Sequence, residues 1–332
     1  MSQGLGQLAV KESWPRYFRL GVVHFMLYPQ TSAGEGPVLE SLTELARDAD
    51  LEAMEITHIA DAGVRRQVRS LIDAAGWTVA FGSQPVFLRR KLDLNAADGA
   101  ARAEAVAAAR ECVDEAAYLG AKSIAFLSGP DPVVAMGEAA REIDPSRAGA
   151  LRADARQRLV DSLIEICTYA SSAGLRVVLE TFDRDVDKRC LIGPSLDAVK
   201  VAQAVRREFP DFGLMLDLSH LPLLQETPEY ALRTAGPYLS HAHVGNAVTR
   251  PGSPLYGDAH PRFGIPEGAN GRDELTRFLR GLLSCGYLGG GNASTAAERP
   301  VVSFEIKPLP DEQPEVILAG AKRLLTAALY AL

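Results

Sequence analysis

No two of the four cysteines (Cys112, Cys167, Cys190, Cys285) are close in the chain. Without a CxxC or other short pair a disulfide scaffold is excluded, and thiols so scattered are expected to be the reduced residues of a cytoplasmic protein. No stretch approaches the roughly 18 apolar residues of a membrane span, so no membrane is expected as a partner. The segment Met1–Arg16 carries Lys11 and Glu12 in its only mildly apolar section, and it reads as a loose arm, not a secretion signal. Basic excess is also missing. Lys and Arg number 35 against 42 Asp and Glu, a net charge of −7, and no nucleic-acid partner is expected. After the first apolar run the chain reads Tyr28-Pro-Gln-Thr-Ser-Ala-Gly-Glu-Gly36, which lacks the GxGxxG of a dinucleotide fold. The triplet Asn292-Ala293-Ser294 fits a glycosylation site, but without a signal it is a chance match.

Against these absences stands an ordinary globular composition, 47% hydrophobic and 23% charged over 332 residues. That length allows two mid-sized domains or one large α/β barrel. Short apolar runs recur eight times: 20–25, 51–58, 77–84, 122–129, 176–183, 212–220, 239–246 and 300–308. Each is followed by a segment of helical period, near 37–48, 61–74, 97–118, 148–173, 195–207, 228–235, 272–284 and 314–330. Continuous apolar strands alternating with amphipathic helices indicate parallel strands covered by helices. Thr227 before Pro228, and Ser195 after Gly193-Pro194, are helix-start signals. Eight such units close naturally into a single-domain (β/α)8 TIM barrel, expected over 19–332 behind an N-terminal arm of 1–18. Two insertions, 130–147 and 247–271, leave strand C-termini, the face on which such barrels carry their chemistry. The Gly-rich stretch Gly286–Ala297 precedes the last strand and is expected on the opposite face, as a flexible turn.

The C-terminal ends of the later strands collect polar groups. They read Val177-Val-Leu-Glu180, Leu214-Met-Leu-Asp217, His241-Ala-His243 and Val302-Ser-Phe-Glu305. By alternation Glu180, Asp217, His243 and Glu305 point into the barrel mouth, where charge is costly to bury unless it is paired or bound to a metal. Three carboxylates and an imidazole on adjacent strands would repel one another without a cation, and the mixed donors suit one divalent ion, Mn²⁺, Mg²⁺, Zn²⁺ or Co²⁺. A lone strand-end acid is most often a surface or salt-bridged residue, and Glu52 and Glu55 are read that way. His24 and His58 are read as wall residues. His220, three positions past Asp217, can bond a substrate or take a second metal, and Asp258-Ala-His260 has chelating spacing. Lys307, Arg250, Lys188 and Arg262 are cations able to meet an anionic substrate.

Glu180 in VVLETFD, the DLSH box Asp217–His220, the HAHVGN box with His243, and Glu305 in SFEIKP resemble the xylose isomerase-like TIM barrel superfamily, in its sugar phosphate isomerase/epimerase group. The resemblance runs from about Arg19 to the C-terminus. It implies a D-tagatose 3-epimerase-like metal site with Glu180, Asp217, His243 and Glu305 as ligands, and with Glu180 and Glu305 also moving the proton. It also implies that His220 contacts the substrate, a keto sugar, polyol or sugar phosphate; Asp258, His260, Lys307 and Arg250 are further substrate-binding candidates on the residues' own chemistry. The implied activity is metal-dependent isomerisation or epimerisation through a metal-stabilised enediolate, and a homo-oligomer is compatible with it. The same superfamily holds endonuclease IV, a three-zinc phosphodiesterase, and inosose dehydratase-like lyases. Asp217, His220, His243, Asp258, His260 and Glu305 could frame two metals of the former, but its histidines on the third and fourth strands are missing, where this chain has Gln84 and Ser128. A non-enzymatic sugar-binding barrel is the remaining alternative.

Overall fold

The computed structural model describes residues 14–289 and 299–332. Most of the N-terminal arm, the Asn292 triplet and most of the Gly-rich stretch before the last strand lie outside the described residues.

The chain forms a single (β/α)8 barrel. Its strands are β1 (Arg19–Val22), β2 (Ala53–Ile56), β3 (Thr78–Gly82), β4 (Ser123–Phe126), β5 (Arg176–Glu180), β6 (Gly213–Asp217), β7 (Leu239–Gly245) and β8 (Val301–Glu305). All neighbouring pairs are parallel, in the order β1-β8-β7-β6-β5-β4-β3-β2. A bridge between Val23 and Glu55 brings β1 back to β2, so the sheet is nearly closed.

Alternation divides the strand residues into two sets. One set, including Val22, Ile56, Phe81, Phe126, Leu179 and Phe304, joins the helices in a continuous core around the barrel. Of the other, Ala125, Val178 and Met215 form a small separate cluster. Polar side chains share the barrel interior with them, among them Glu55, His241 and His243, all buried. Helix starts are set locally. Asp61, Asp98 and Asp144 each accept backbone N–H groups of the following turn, and Thr227 accepts from Tyr230 ahead of Pro228. Ser195 plays a different part: its N–H and hydroxyl both bond the Glu226 carboxylate.

The strands end earlier than the apolar runs suggest, because the chain turns at the mouth into short helices: His24–Leu27 after β1, Gln84–Arg90 after β3 and His220–Leu223 after β6. The insertion after β4 contributes a 3-10 segment, Val134–Glu142, and then a long helix, Pro145–Ser172, that starts three residues before the expected 148.

Candidate metal centre

Glu180, Asp217 and Glu305 are the last residues of β5, β6 and β8, and His243 lies beside Asp217 in the β6–β7 register. The fold brings one ligand atom of each to within 4.8 Å of the others, all four buried. Among the described residues none of the three carboxylates pairs with a lysine or arginine. Their charged neighbours are imidazoles. His243 Nδ1 lies 2.7 Å from Glu305 Oε2 and 3.5 Å from Glu180 Oε1. Asp217 is held on its own strand end by the N–H of Ser219 at 2.8 Å and by the Ser219 hydroxyl.

The other side of His243 is fixed by a residue that the sequence does not advertise. Both oxygens of Glu55, on β2, accept from His243 Nε2 at 2.9 and 3.0 Å, and Oε1 also meets His241 Nε2 at 2.7 Å. Glu55 is therefore no surface acid but is 2% exposed, in the barrel interior. A carboxylate behind an imidazole sets which ring nitrogen faces forward, the arrangement seen behind metal-bound histidines. Glu52, as expected, is salt-bridged, to Arg299.

His220 and His260 complete a second cluster with Asp258 and Asp217. His220 Nδ1 donates to the Thr181 carbonyl at 2.7 Å, which turns Nε2 inward, 2.9 Å from Asp258 Oδ1. His260 Nε2 lies 2.6 Å from the same oxygen. Yet His220 Nε2 and Asp258 Oδ1 have no hydrogen-bond partner of proper geometry, and nor has Glu180 Oε1. Glu55 with its two histidines differs: those groups are hydrogen-bonded to each other and need no ion.

The electrostatics follow. Burial pushes the Asp217 pKa up, reinforced by Glu305. Burial also opposes charge on the histidines, but the surrounding carboxylates outweigh it: Glu55 and Glu305 hold His243 well above its ordinary value, Asp258 and Asp217 do so for His220, and Glu305 with Asp258 raises His260 to about 9. Despite burial, His241 and His243 hold Glu55 well below the usual carboxylate range. Protonated imidazoles thus supply the cation that the carboxylates require. A divalent ion satisfies the same acceptors and displaces those protons, and the donor set of carboxylate oxygens with one imidazole fits such an ion.

A cavity of about 480 Å³ opens over this cluster, lined among others by Phe25, Gln84, Phe182, Lys188 and Lys307. Lys188 is paired with Asp258 at 2.8 Å and Asp187 at 3.0 Å, while the Lys307 side chain stays exposed at the rim. Arg250 is elsewhere: it is exposed and paired with Glu267, and Arg262 pairs with Glu312. His24 bonds Ser41 and His58 bonds Glu115, so both serve the barrel wall. A larger cavity of about 680 Å³, lined by Lys122, Arg176 and His241, lies at the opposite end. The mouth insertion is drawn tight by glycine: a Cβ on Gly245 would stand 2.5 Å from the Glu305 carbonyl oxygen and 3.3 Å from His260.

Comparison with known proteins agrees with the barrel fold. The model of the xylose isomerase-like TIM barrel family matches residues 43–297. The chain belongs to that family. No curated protein matches it in sequence. Among solved structures it is similar to an L-ribulose 3-epimerase, with 18% identity, 95% of this chain and 92% of that one covered, and a TM-score of 0.63. It is also similar to the D-psicose 3-epimerase of Clostridium cellulolyticum H10, with 19% identity, 94% and 96% covered, and a TM-score of 0.59. A third structure, described as an AP endonuclease of family 2 from Brucella melitensis, shows 18% identity, 92% and 98% covered, and a TM-score of 0.62. At these identities the likeness establishes the fold.

From sequence, Glu55 reads as a surface or salt-bridged acid, and His241 and Gln84 receive no role in the centre. For His241 a signal was present, since His241 and His243 are two apart on one strand and share a face. Glu55 also sits at a strand position of inward parity. Gln84 carries no comparable signal.

Proposed function

We propose that the protein is a divalent-metal-dependent sugar or sugar-phosphate isomerase/epimerase, with Glu180, Asp217, His243 and Glu305 holding the ion and Glu180 and Glu305 carrying the proton. The observation that carries this reading is the burial of three carboxylates around one imidazole, with no lysine or arginine paired to them among the described residues. When bound, the ion would supply Lewis acidity to the adjacent carbonyl and hydroxyl oxygens of a keto sugar, acidifying the C–H between them.

The chain's own residues do the rest. One of Glu180 and Glu305, on non-adjacent strands, takes the proton from that carbon to leave an enediolate. Return of a proton by the other on the opposite face epimerises the carbon, and return to the neighbouring carbon isomerises aldose and ketose. Phe25 and Phe182 wall the cavity and keep water from the cluster, and Lys307 at the rim meets a phosphate where the substrate carries one. The test is wash-in of solvent deuterium at the keto-sugar C–H. Glu305→Gln, folded and metal-loaded, is expected to lose the exchange, and normal exchange in that variant refutes the assignment.

A second reading, a metal-dependent phosphodiesterase, is favoured by the inward-aimed His220 Nε2 and Asp258 Oδ1, which would hold a second ion with His260. The AP endonuclease-like neighbour fits it. Two ions per chain with nicking of abasic DNA would select it. One ion with keto-sugar exchange would select the isomerase.

A further inference from the structure

The two glutamates of the centre are held in different ways. Glu180 Oε2 accepts from Gln84 Nε2 at 2.6 Å, while Glu180 Oε1 has no hydrogen-bond partner and faces the cluster. Glu305 has no such amide, and its neighbours are His243 at 2.7 Å and His260 at 3.6 Å. A carboxylate only accepts, so the chemistry fixes which end of the Gln84 amide faces it: the NH₂ must point at Glu180 and the carbonyl must point away. That carbonyl is itself buried without a donor, so the orientation is set by Glu180 alone.

The backbone is shaped for this contact. Gln84 opens the short helix that follows β3, with Pro85 behind it. Ser83 is tied to the Ala125 carbonyl through both its N–H and its hydroxyl. Gly82 leaves the space the amide occupies, since a Cβ there would lie 2.9 Å from Gln84 Oε1 and 2.8 Å from the Phe25 ring.

We propose that Gln84 is a positioning residue: it commits one oxygen of Glu180 to the protein, presents the other to the divalent ion, and leaves Glu305 as the carboxylate free to change partners. This rests on the metal reading above and adds an asymmetry between the two glutamates that the ligand set alone does not contain.

The experiment is calorimetric titration of Co²⁺ into the stripped full-length protein, with the visible absorption of the bound ion recorded. Gln84→Met, close in shape but without a donor, is expected to weaken Co²⁺ by about 10–100-fold and to alter the spectrum. The thermal midpoint of the metal-free protein should stay within a few degrees. Gln84→Leu serves as the donor-less variant should the first fail to fold. In a Glu180→Asp background, which keeps a carboxylate at that strand end but draws it back from the amide, the Gln84→Met change is expected to lose most of its effect, because partners in one network are not additive. Unchanged affinity and spectrum in Gln84→Met, or an equal loss in both backgrounds, overturns the proposal while the metal reading stands. Absence of Co²⁺ binding by the unaltered protein overturns both.

Discussion

Asp131, in the loop after β4, and Asp217, at the end of β6, are both 0% exposed, and the protein treats them differently. Asp131 accepts the N–H groups of Val133 at 2.9 Å and Val134 at 3.0 Å, and meets Arg152 at 2.7 Å and Arg184 at 3.3 Å. Its charge is neutralised by the fold. Asp217 has Ser219 on one side and, among the described residues, imidazoles as its cationic neighbours, with His220 and His260 each at 3.6 Å. Burial alone would make Asp217 as costly as Asp131, so the missing arginine is the informative feature. The loop aspartate is an internal brace that fixes the insertion, whereas on the proposed metal reading the mouth aspartate is kept for a cation that comes from outside.

Substitution should separate the two most sharply. Asp131→Ala leaves two arginines without their buried partner and is expected to cost about 3 kcal/mol in urea unfolding, with metal affinity nearly unchanged. Asp217→Ala is expected to remove measurable metal binding in titration calorimetry while leaving the metal-free protein as stable as before, or more so. If the two variants behave alike in both measurements, the comparison fails.

Next in size is Glu55→Gln. His243 Nε2 keeps a neighbour but loses the charged one, and metal affinity should fall by about 10–100-fold, read by the same calorimetry.

The third prediction uses pH. His260 sits at about 9 in the folded chain, above an ordinary value of about 6.5, and His220 and His243 are raised with it. Between those values the folded state binds more protons than the unfolded one. Stability from His260 is therefore complete below about pH 6.5 and is lost as pH rises through about 9, and the raised His220 and His243 act in the same direction. The thermal midpoint of the metal-free protein should fall over that range. Metal affinity should rise over it, since binding displaces the same protons. A midpoint that climbs with pH would break the account of imidazolium as the stand-in cation.

The smallest effect is expected at Arg250. Exposed and paired with Glu267, its replacement by Ala should leave stability within about 0.5 kcal/mol and metal affinity unaltered, measured in the same assays.

The barrel itself was legible, because β/α alternation and the 3.6-residue period are local and eight repeats leave few architectures. So was the convergence of Glu180, Asp217, His243 and Glu305, since each ends an apolar strand at a known parity. The strand ends were overrun because apolar residues such as Phe25 and Leu221 continue past the ladder into helical turns that cover the mouth. Glu55 is salt-bridged, one of the two expected states, but to buried histidines that the sequence does not point to. Its partners are 186 and 188 residues away in sequence, so whether it is a surface acid or a buried clamp depends on β2 and β7 facing each other across the barrel. Gln84 shares that problem: its meaning lies in Glu180, 96 positions on. Alternation reveals which way a side chain points, but not what waits opposite it.

Anomalous diffraction from crystals grown with Mn²⁺ tests the central claim most directly. The account predicts a peak enclosed by Glu180, Asp217, His243 and Glu305, with Glu55 still behind His243. Crystals with no peak there, or with manganese bound only elsewhere, would contradict it.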